Sequence, residues 1–162
     1  MNQYLIGDNI TLLEDKGIEC DLIYIDPPYN TGRDFGDYND RWPSMEDYSE
    51  NFLYPRLEKC HKILKDTGTI FVFMGFQFIS YIYQILSKDM GYQFGNWVCW
   101  HYTQGMGKKK GFSPRHDDIL MFHKSGTFTF NLDDIRIPQK YYRSRNNMRG
   151  ANPGDVWLFS HV

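Results

Sequence analysis

The stretch from Leu22 to Asn30 constrains the fold of this chain more strongly than any other. It begins with the apolar run Leu22–Ile25, which has the composition of a short buried strand. The next five residues are Asp-Pro-Pro-Tyr-Asn, and two successive prolines end a strand because they lack the N–H groups that a sheet needs. Ligands of open α/β sheets bind beyond the carboxyl ends of the strands, so Asp26, Tyr29 and Asn30 are predicted to point into a ligand site.

The rest of the pattern predicts an α/β fold. Apolar runs predict strands over 22–26, 69–74, 96–101 and 118–123, with shorter candidates at 4–6 and 128–130. The helical spacing of apolar residues predicts helices over 9–16, 44–65 and 78–89. A strand, a long helix and a strand in succession form a βαβ unit, and this makes the first and second of the longer strands parallel.

Local signals predict where the helices begin and break. Asp8 or Asn9 is a candidate N-cap for the first helix. Ser44, with Asp47 three residues later, has the spacing of a capping box at the start of the second helix. Pro55 lies inside that helix and predicts a kink or a break, because it removes a backbone hydrogen bond.

Length and composition fit one domain with a core of its own. A chain of 162 residues with 41% hydrophobic residues is long and apolar enough to fold as a globular unit. It has no apolar run of membrane-spanning length and no secretory pattern at its N-terminus. Its three cysteines show no metal-ligand spacing, so we expect reduced thiols, no metal site and a cytoplasmic protein.

Charge is distributed unevenly along the chain. Residues 101–150 hold ten Lys and Arg against four Asp and Glu, whereas the rest holds eight against sixteen. A basic third on an acidic chain predicts a surface for a polyanion, with ordinary surface variation as the alternative. Two parts of this third suit nucleic acid: a lysine loop at 108–110 framed by glycines, and the segment 136–149, where arginines alternate with Tyr and Asn.

Residues 31–40, directly after the candidate site, are rich in Gly, Asp and Asn, which predicts a loop. A loop in this place acts as a lid over a bound ligand or is a plain surface connection. Composition alone leaves both interpretations open.

Asp26 and the Pro-Pro step have the chemistry to activate an amine. The exocyclic amine of adenine is a poor nucleophile because its lone pair is delocalised into the ring. Fixed acceptors draw the nitrogen toward sp³ geometry as positive charge develops during attack on a methyl group. A carboxylate and a rigid proline carbonyl are such acceptors, and the Tyr29 ring can stack on a base flipped out of a duplex. The alternative is a turn that only ends the strand.

The motifs resemble those of the amino-group DNA methyltransferases that act on adenine N6. The matching segments are Gly7-Asp8, 26–32, Trp42, 63–74, 97–100, the basic glycine-rich loop, 116–120, 130–136 and 154–157. They cover essentially the whole chain in the order of the permuted (beta) class, in which the catalytic motif precedes the cofactor-binding half. One departure is Asp117, which follows His116 where the family usually has Glu.

The resemblance implies a Rossmann-like, S-adenosylmethionine-dependent methyltransferase fold, α/β in class and incomplete in this chain. The family sheet has the order 3-2-1-4-5-7-6, of which this chain would hold strands 4 to 7, with the run at 4–6 at the far edge. Family motifs similar to His-Pro-Thr-Gln-Lys-Pro and Asp-Pro-Phe-x-Gly-Ser-Gly do not occur. Strand 4 would therefore be an unpaired apolar edge. Residues 1–125 would form a catalytic half-domain, and residues 126–162 a target-recognition segment that stops before the cofactor-binding motifs.

Carried over residue by residue, the resemblance implies three groups of site residues. The catalytic residues are Asp26, Pro27, Pro28 and Tyr29. Asp26 would accept from the target amine, Pro27 would offer its carbonyl, and Tyr29 would stack on the flipped adenine. The cofactor-binding residues are Asp8, Asn9, Asp26 and Asn30. The DNA-binding residues are Lys108, Lys109, Lys110, Arg115, His116, Arg136, Lys140, Arg143, Arg145 and Arg149.

The function implied is site-specific transfer of a methyl group from S-adenosylmethionine to the N6 amine of a flipped adenine in double-stranded DNA. The absent motifs imply that a second polypeptide or a homodimer partner completes the cofactor site. A truncated, non-catalytic relative that binds DNA or a partner is the alternative from a different class. Cytosine N4, RNA and a protein glutamine amide are alternative substrates, although an acidic first residue in the motif favours adenine. A bacterial, archaeal or phage context is implied, with a restriction-linked or a solitary role both open.

Overall fold

The computed structural model describes residues 4–13, 17–36, 38–103, 107–141 and 143–159. Its strands are β1 (Cys20–Ile25), β2 (Arg33–Asp34), β3 (Asn39–Asp40), β4 (Leu64–Met74), β5 (Gln93–His101), β6 (His116–His123) and β7 (Val156–Leu158). Its α-helices are α1 (Asn9–Leu12), α2 (Met45–Asp47), α3 (Tyr54–Ile63) and α4 (Ile79–Gln84). Two π-helical segments, Tyr48–Leu53 and Ile85–Asp89, and one 3₁₀ turn, Leu132–Asp134, complete the regular structure of these residues.

Five of these strands form one mixed sheet in the order β1-β4-β6-β5-β7, while β2 and β3 form a separate hairpin. β1 and β4 are parallel, with Ile23 opposite Ile70, as the βαβ unit requires. β4 pairs antiparallel with β6, and β6 pairs antiparallel with β5. The first four strands therefore follow the 4-5-7-6 part of the family order, and the Rossmann-like α/β prediction is confirmed. β7, which pairs parallel with β5, was not predicted.

The two short strand candidates are wrong. Tyr4 and Ile6 have exposed fractions of 88% and 85%. Among the described residues no strand lies beside them, and a strand needs a neighbouring backbone to satisfy its N–H and C=O groups. At 128–130 the chain is also irregular, and Phe128 instead lies flat on His123, with ring centroids 3.5 Å apart.

Several element boundaries differ from the predictions. The strand predicted over 69–74 begins at Leu64, so the helix before it ends at Ile63. β5 and β6 likewise begin earlier than predicted, at Gln93 and His116. The helix predicted over 9–16 is present as Asn9–Leu12, and residues 14–16 of that prediction lie outside the described residues.

The helix before β4 changes its hydrogen-bond pattern twice. Ser44 caps its start, since its Oγ accepts from the Asp47 N–H at 3.0 Å. A π-helical segment follows, and α-helical geometry resumes at Tyr54 with Pro55 in the first turn of α3. Leu53 and Tyr54 both keep right-handed helical backbone angles, so the helix runs on through this point. The kink or break predicted near Tyr54 is present only as the change from π-helical to α-helical bonding beside Pro55, which lacks an N–H to donate.

Alternation along β4 divides the sheet into two faces. Ile70, Val72 and Met74 belong to the main core, which includes residues of α3 and α4. Phe73 belongs to a smaller cluster with Phe71 packed against it. The helices α3 and α4 therefore cover one face of the sheet, and Ile23 of β1 packs into the same core.

β1 lies at the end of the sheet. Leu22 and Tyr24 on this strand have exposed fractions of 59% and 58%. Within the described residues β1 pairs on one side only, so the unpaired apolar edge predicted for family strand 4 is present. In the described part of the chain, no helix is long and apolar enough to cross a membrane.

Candidate active site

An open cleft of about 450 Å³ lies where β1 delivers Asp26, as the strand-end argument predicts. Its walls come from the start of α1, the end of β1 and the helix that contains Arg56. The lining residues are Gly7, Asp8, Asn9, Tyr24, Ile25, Asp26, Pro27, Pro28, Phe52, Leu53, Arg56 and Leu57. The fold thus brings together five residues that the sequence assigned to catalysis or cofactor binding. Tyr29 and Asn30 are not among the lining residues.

Asp26 lines the cleft beside Tyr29, and its side chain is exposed. Partial burial raises the pKa of the Asp26 carboxyl, and a hydrogen bond from the Tyr29 hydroxyl partly offsets that rise in pKa. The pKa of Tyr29 is raised first by burial and then by the nearby charges of Asp26 and Asp117. The phenol therefore stays neutral and can donate to the carboxylate. The exposed Asp26 carboxylate keeps lone pairs that an amine in the cleft can reach.

The Tyr29 ring lies against the carboxyl end of β4. Its centroid is 6.2 Å from that of Phe73, and the two planes meet at 29°. Gly75 follows β4, and a Cβ atom there would come within 3.4 Å of Cδ2 of Tyr29. The ring is half-buried, so part of its surface is accessible. Its stacking on a base stays a prediction.

A buried acid holds the residues that follow Tyr29. The Asp40 side chain accepts from the Asn30 N–H at 2.7 Å, the Thr31 N–H at 2.8 Å and the Thr31 hydroxyl at 2.5 Å. Asp40 is only 1% exposed, so these bonds replace the water that its carboxylate loses on burial. The loop predicted over 31–40 is therefore a hairpin, with Asp40 at its base bonded back to the candidate catalytic motif.

Two further contacts fix the motif from the side of the helix. The hydroxyl of Tyr48, which is fully buried, donates to the Pro28 carbonyl. The backbone N–H of Trp42 donates to the Asn30 side chain at 3.0 Å, so the Asn30 amide is engaged in holding the loop. Tyr48 engages Pro28 and leaves Pro27 as the proline whose carbonyl is available to a ligand in the cleft.

Asp8 has two structural partners. Its carboxylate accepts from the Ile10 N–H at 2.8 Å and caps α1, as predicted. Arg56 donates to the other carboxylate oxygen at 2.8 Å, and its guanidinium lies over the Phe52 ring at 3.8 Å. This bridge joins α1 to the helix across the cleft. Asn9 lies in the first turn of α1 and also lines the cleft.

The predicted lysine loop is exposed on the surface. Lys108, Lys109 and Lys110 are all exposed, and Phe112 beside them has an exposed fraction of 99%. Residues 105 and 106, part of the predicted glycine frame, lie outside the described residues. The fold therefore leaves this loop free to meet a large partner.

Arg115 and His116 lie at the start of β6. An Arg115 Nη1 donates to the Thr103 carbonyl at 3.1 Å. His116 Nε2 lies 4.0 Å from an oxygen of Asp118, which is itself buried and accepts from the Trp97 indole at 2.8 Å. Both predicted residues are thus partly engaged in local contacts.

The basic segment divides its cations into two groups. Arg136 and Arg149 both pair with Asp133, and Arg136 also donates to Asn152 Oδ1 at 2.6 Å. The hydrogen bond from Arg136 is the main reason that the pKa of the Asp133 carboxyl lies below its ordinary value. Arg136 keeps only 11% of its side chain exposed. These two arginines therefore stabilise the segment itself.

The second group lines an open cavity of about 360 Å³. Its cations are Lys140, Arg143 and Arg145. None of the residues that line this cavity is acidic. The backbones of Ile137 and Ala151 close the segment through a pair of hydrogen bonds of 3.0 and 2.8 Å. Three of the five predicted cations of 136–149 therefore line one cavity, and no acidic side chain in its lining neutralises their charge.

Sequence reasoning missed Asp40, Tyr48 and Arg56. Asp40 lies in a segment whose composition indicates only a loop, and its partners are nine and ten residues away. Tyr48 and Arg56 lie in the helix that apolar spacing predicts, where a polar tip is ordinarily read as solvent-facing. In the described ranges, no group of three or more His, Cys, Asp or Glu side chains could hold a metal ion.

Comparison with known sequences finds one family model and several relatives that agree with one another. A family model described as "DNA methylase" matches residues 20–162. The Type II methyltransferase M.HpaI of Haemophilus parainfluenzae is 56% identical over all of this chain, which covers 52% of that protein. The DNA adenine methyltransferase YhdJ of Escherichia coli K12 is 28% identical over 96% of this chain, which covers 56% of that protein. The chain therefore spans about half the length of these curated relatives.

Solved structures are similar in fold. M1.HpyAVI matches 94% of this chain with a TM-score of 0.60 and 16% identity, and the chain covers 61% of that structure. The PvuII DNA methyltransferase, described as cytosine-N4-specific, matches 97% of this chain with a TM-score of 0.67 and 14% identity, and the chain covers 56% of it. At these identities the likeness concerns the arrangement of strands and helices.

Proposed function

This chain belongs to the DNA methylase family, and on that basis we propose that it transfers a methyl group from S-adenosylmethionine to the N6 amine of an adenine in double-stranded DNA. The observation that carries the proposal is the position of Asp26 and Pro27 at the mouth of the β1 cleft. Both residues line the cleft, and Tyr48 engages the carbonyl of Pro28 rather than that of Pro27, so a carboxylate and a proline carbonyl can together supply the pair of acceptors that an exocyclic amine needs.

In this proposal the residues of the motif have separate tasks. Asp26 and the Pro27 carbonyl each accept a hydrogen bond from one N–H of the amine. These two bonds direct the nitrogen lone pair toward the methyl group. Tyr29 holds the Asp26 carboxylate through its hydroxyl and offers part of its ring to the flipped base. Pro28 stiffens the segment, and its carbonyl accepts a hydrogen bond from the Tyr48 hydroxyl. When bound, S-adenosylmethionine supplies the activated methyl group.

The residues present in the cleft fit one side of that cofactor. Asp8 and Asn9 offer acceptors for hydroxyl or amine groups, and the Asp26 carboxylate favours a positive charge nearby. Phe52 and Leu53 add an apolar wall. Asn30 does not line the cleft, and we propose that it serves the site by shaping the loop rather than by contact with the cofactor.

DNA is the proposed substrate because of the placement of the basic groups. Lys108, Lys109 and Lys110 are exposed, and the cavity of Lys140, Arg143 and Arg145 has no acid in its lining. Phosphates of a duplex supply the matching negative charge. We propose that residues 1–125 form the catalytic part and residues 126–162 the target-recognition segment, with Arg136 and Arg149 acting inside that segment through Asp133.

Adenine is favoured over cytosine by the acidic first residue of the Asp26-Pro-Pro-Tyr motif. A relative at 28% identity is named a DNA adenine methyltransferase, which supports the same target. A cytosine-N4 enzyme is the second candidate. Analysis of the methylated nucleosides separates the two, because N6-methyladenine and N4-methylcytosine differ in mass and retention.

We further propose that the exposed edge of β1 takes up a strand from a second polypeptide or from a second copy of the chain. Leu22 and Tyr24 are the apolar side chains that such a strand would cover. The polypeptide that contributes this strand would also supply residues that complete the S-adenosylmethionine side of the cleft.

The test uses the purified chain, isotopically labelled S-adenosylmethionine and duplex DNA, over a range of protein concentrations and with a candidate second chain. We expect label in N6-methyladenine, and we expect none with Asp26→Ala. A rise in specific activity with protein concentration supports a second copy, whereas a requirement for the added chain supports a second polypeptide. DNA binding with no methyl transfer under any of these conditions contradicts the enzymatic proposal and favours a non-catalytic DNA-binding protein.

A further inference from the structure

The base of the β2–β3 hairpin and the candidate catalytic motif are joined by one buried carboxylate, that of Asp40. Its two oxygens accept from successive backbone N–H groups, those of Asn30 at 2.7 Å and Thr31 at 2.8 Å. Successive N–H groups converge on one anion when a residue adopts the left-handed region. Asn30 does so, with φ of 52°, and it is the one described residue other than glycine with a positive φ. The left-handed conformation of Asn30 therefore directs two N–H groups at the Asp40 carboxylate, and these bonds in turn stabilise that conformation.

The side-chain bonds of Asp40 are directed at the motif and are additional to those that build the hairpin. The hairpin has its own backbone pairing, Arg33 with Asp40 and Asp34 with Asn39. The Gly32 N–H also donates to the Asp40 backbone carbonyl at 2.8 Å. Removing the carboxylate would leave all of these backbone bonds available. A role confined to the hairpin would not need an acid that is 1% exposed.

The segment between Asp26 and Asn30 is stiff, so a fixed point at Asn30 sets the direction of its carbonyls. Pro27 and Pro28 lock their φ angles. The upstream end is held by the pairing of Ile25 with Val72 in the sheet. The downstream end is held by the carboxylate of Asp40. Between these two ends Tyr48 holds the Pro28 carbonyl, so Asp40 and Tyr48 together set the direction of the Pro27 carbonyl.

We propose that Asp40 is a positioning residue for methyl transfer: its buried carboxylate holds Asn30 and Thr31, and through them it orients the Pro27 carbonyl and the Asp26 carboxylate toward the target amine. This inference rests on the proposed function. Thr31 shares in the task, because its hydroxyl donates to the same carboxylate at 2.5 Å. Asp40 itself lies outside the cleft lining and touches no reacting atom.

The closing experiment compares Asp40→Asn and Thr31→Val with two controls. Asp40→Asn keeps the volume but turns an N–H₂ group toward the backbone donors. Thr31→Ser keeps the hydroxyl that Thr31→Val removes. Asp34→Asn removes another carboxylate of the same hairpin, one that is exposed and, among the described residues, accepts from the nearby Gly36 N–H at 2.8 Å.

We expect Asp40→Asn to lower kcat by roughly 10- to 100-fold with little change in the KM for DNA, because small misplacements of reacting groups cost rates of this order. Thr31→Val should lower kcat by a few-fold, and Thr31→Ser, which restores the hydroxyl, should recover most of that loss. Asp34→Asn should behave as the wild type. Hydrogen exchange of the Asn30 and Thr31 amides should be faster in Asp40→Asn and unchanged in Asp34→Asn.

The inference is overturned if folded Asp40→Asn keeps its kcat, or if only its KM changes. If Asp40→Asn does not fold, Thr31→Val decides, and normal kcat in that variant overturns the inference. If the wild-type chain transfers no methyl group under any condition, the proposed function fails. The amide exchange then still tests the hold of Asp40, and unchanged exchange overturns the inference independently.

Discussion

The segment around Asp26 and the basic segment 136–149 hold their backbones in opposite ways. Around Asp26, sheet pairing, a buried carboxylate and a buried tyrosine hydroxyl engage the chain at close intervals. In the basic segment most described residues are exposed, and the chain is closed by the paired backbones of Ile137 and Ala151. Chemistry needs groups fixed within a fraction of an ångström, whereas a surface that meets DNA gains from adjusting to it.

The largest expected effect is on the rate of methyl transfer, and it tests the segment around Asp26. Asp26→Asn removes the carboxylate charge at nearly constant volume, and we expect methyl transfer to fall by about 10²- to 10³-fold, since one preorganised acceptor is lost. Rates under saturating DNA and labelled S-adenosylmethionine measure this. Lys109→Ala, in the exposed loop, is the matched control and should change the rate constant little. Comparable loss of kcat in both variants would remove the distinction between the two regions.

Equal truncations in the two regions should have unequal costs in stability. Leu57 is 1% exposed between the cleft and the core, whereas Ile137 is 47% exposed in the basic segment. We expect Leu57→Ala to lower the free energy of unfolding by about 3 kcal/mol through the cavity that it leaves. Ile137→Ala should cost at most about 0.5 kcal/mol. Urea unfolding measures both, and similar costs would show that the basic segment packs as tightly as the core.

The two groups of cations in the basic segment should separate in their salt dependence. Lys140→Ala, Arg143→Ala and Arg145→Ala should each reduce the slope of log affinity against log salt concentration by about 1, because each removes a phosphate contact. Arg136→Ala should instead lower stability, since it breaks the contacts with Asp133 and Asn152. Fluorescence anisotropy on one duplex at several salt concentrations gives the slopes. Equal slope changes in all four variants would contradict the division.

The smallest expected effect is a pH-dependent gain in stability in Asp26→Asn. Burial raises the pKa of the Asp26 carboxyl in the folded protein. The unfolded chain therefore releases this proton at lower pH, and stability falls as pH rises through the two pKa values. At pH 7 the variant escapes this cost, so its melting temperature should exceed that of the wild type. The gain should vanish below the ordinary aspartate pKa of about 3.9. A gain of equal size at both pH values would argue against burial as the cause.

An apolar run followed by two prolines made the strand end at Asp26 predictable. The order of β1, β4, β6 and β5 was predictable only through the resemblance to a family whose sheet order is known, because apolar runs locate strands but do not order them. The Asp40 contacts were not predictable, since they need a left-handed Asn30 and a hairpin of two-residue strands, and neither leaves a periodic signal. β7 is only three residues long and pairs with a strand more than fifty positions earlier. The cations of 136–149 were found by composition, but only the structure separates those that pair with Asp133 from those that line the cavity.

The paired backbones of Ile137 and Ala151 make residues 138–150 a loop that starts and finishes at one place. Glycine at position 150 lets the two ends of the loop approach each other, because a Cβ atom there would come within 2.6 Å of the Ile137 carbonyl oxygen. Exposed loops that are closed at their ends tolerate changes of length and sequence between those ends, so the part of this loop away from Arg149 and Gly150 can vary without disturbing the sheet. Under the proposed function, mutation could therefore rewrite which DNA sequence is preferred while the machinery at Asp26 is inherited unchanged.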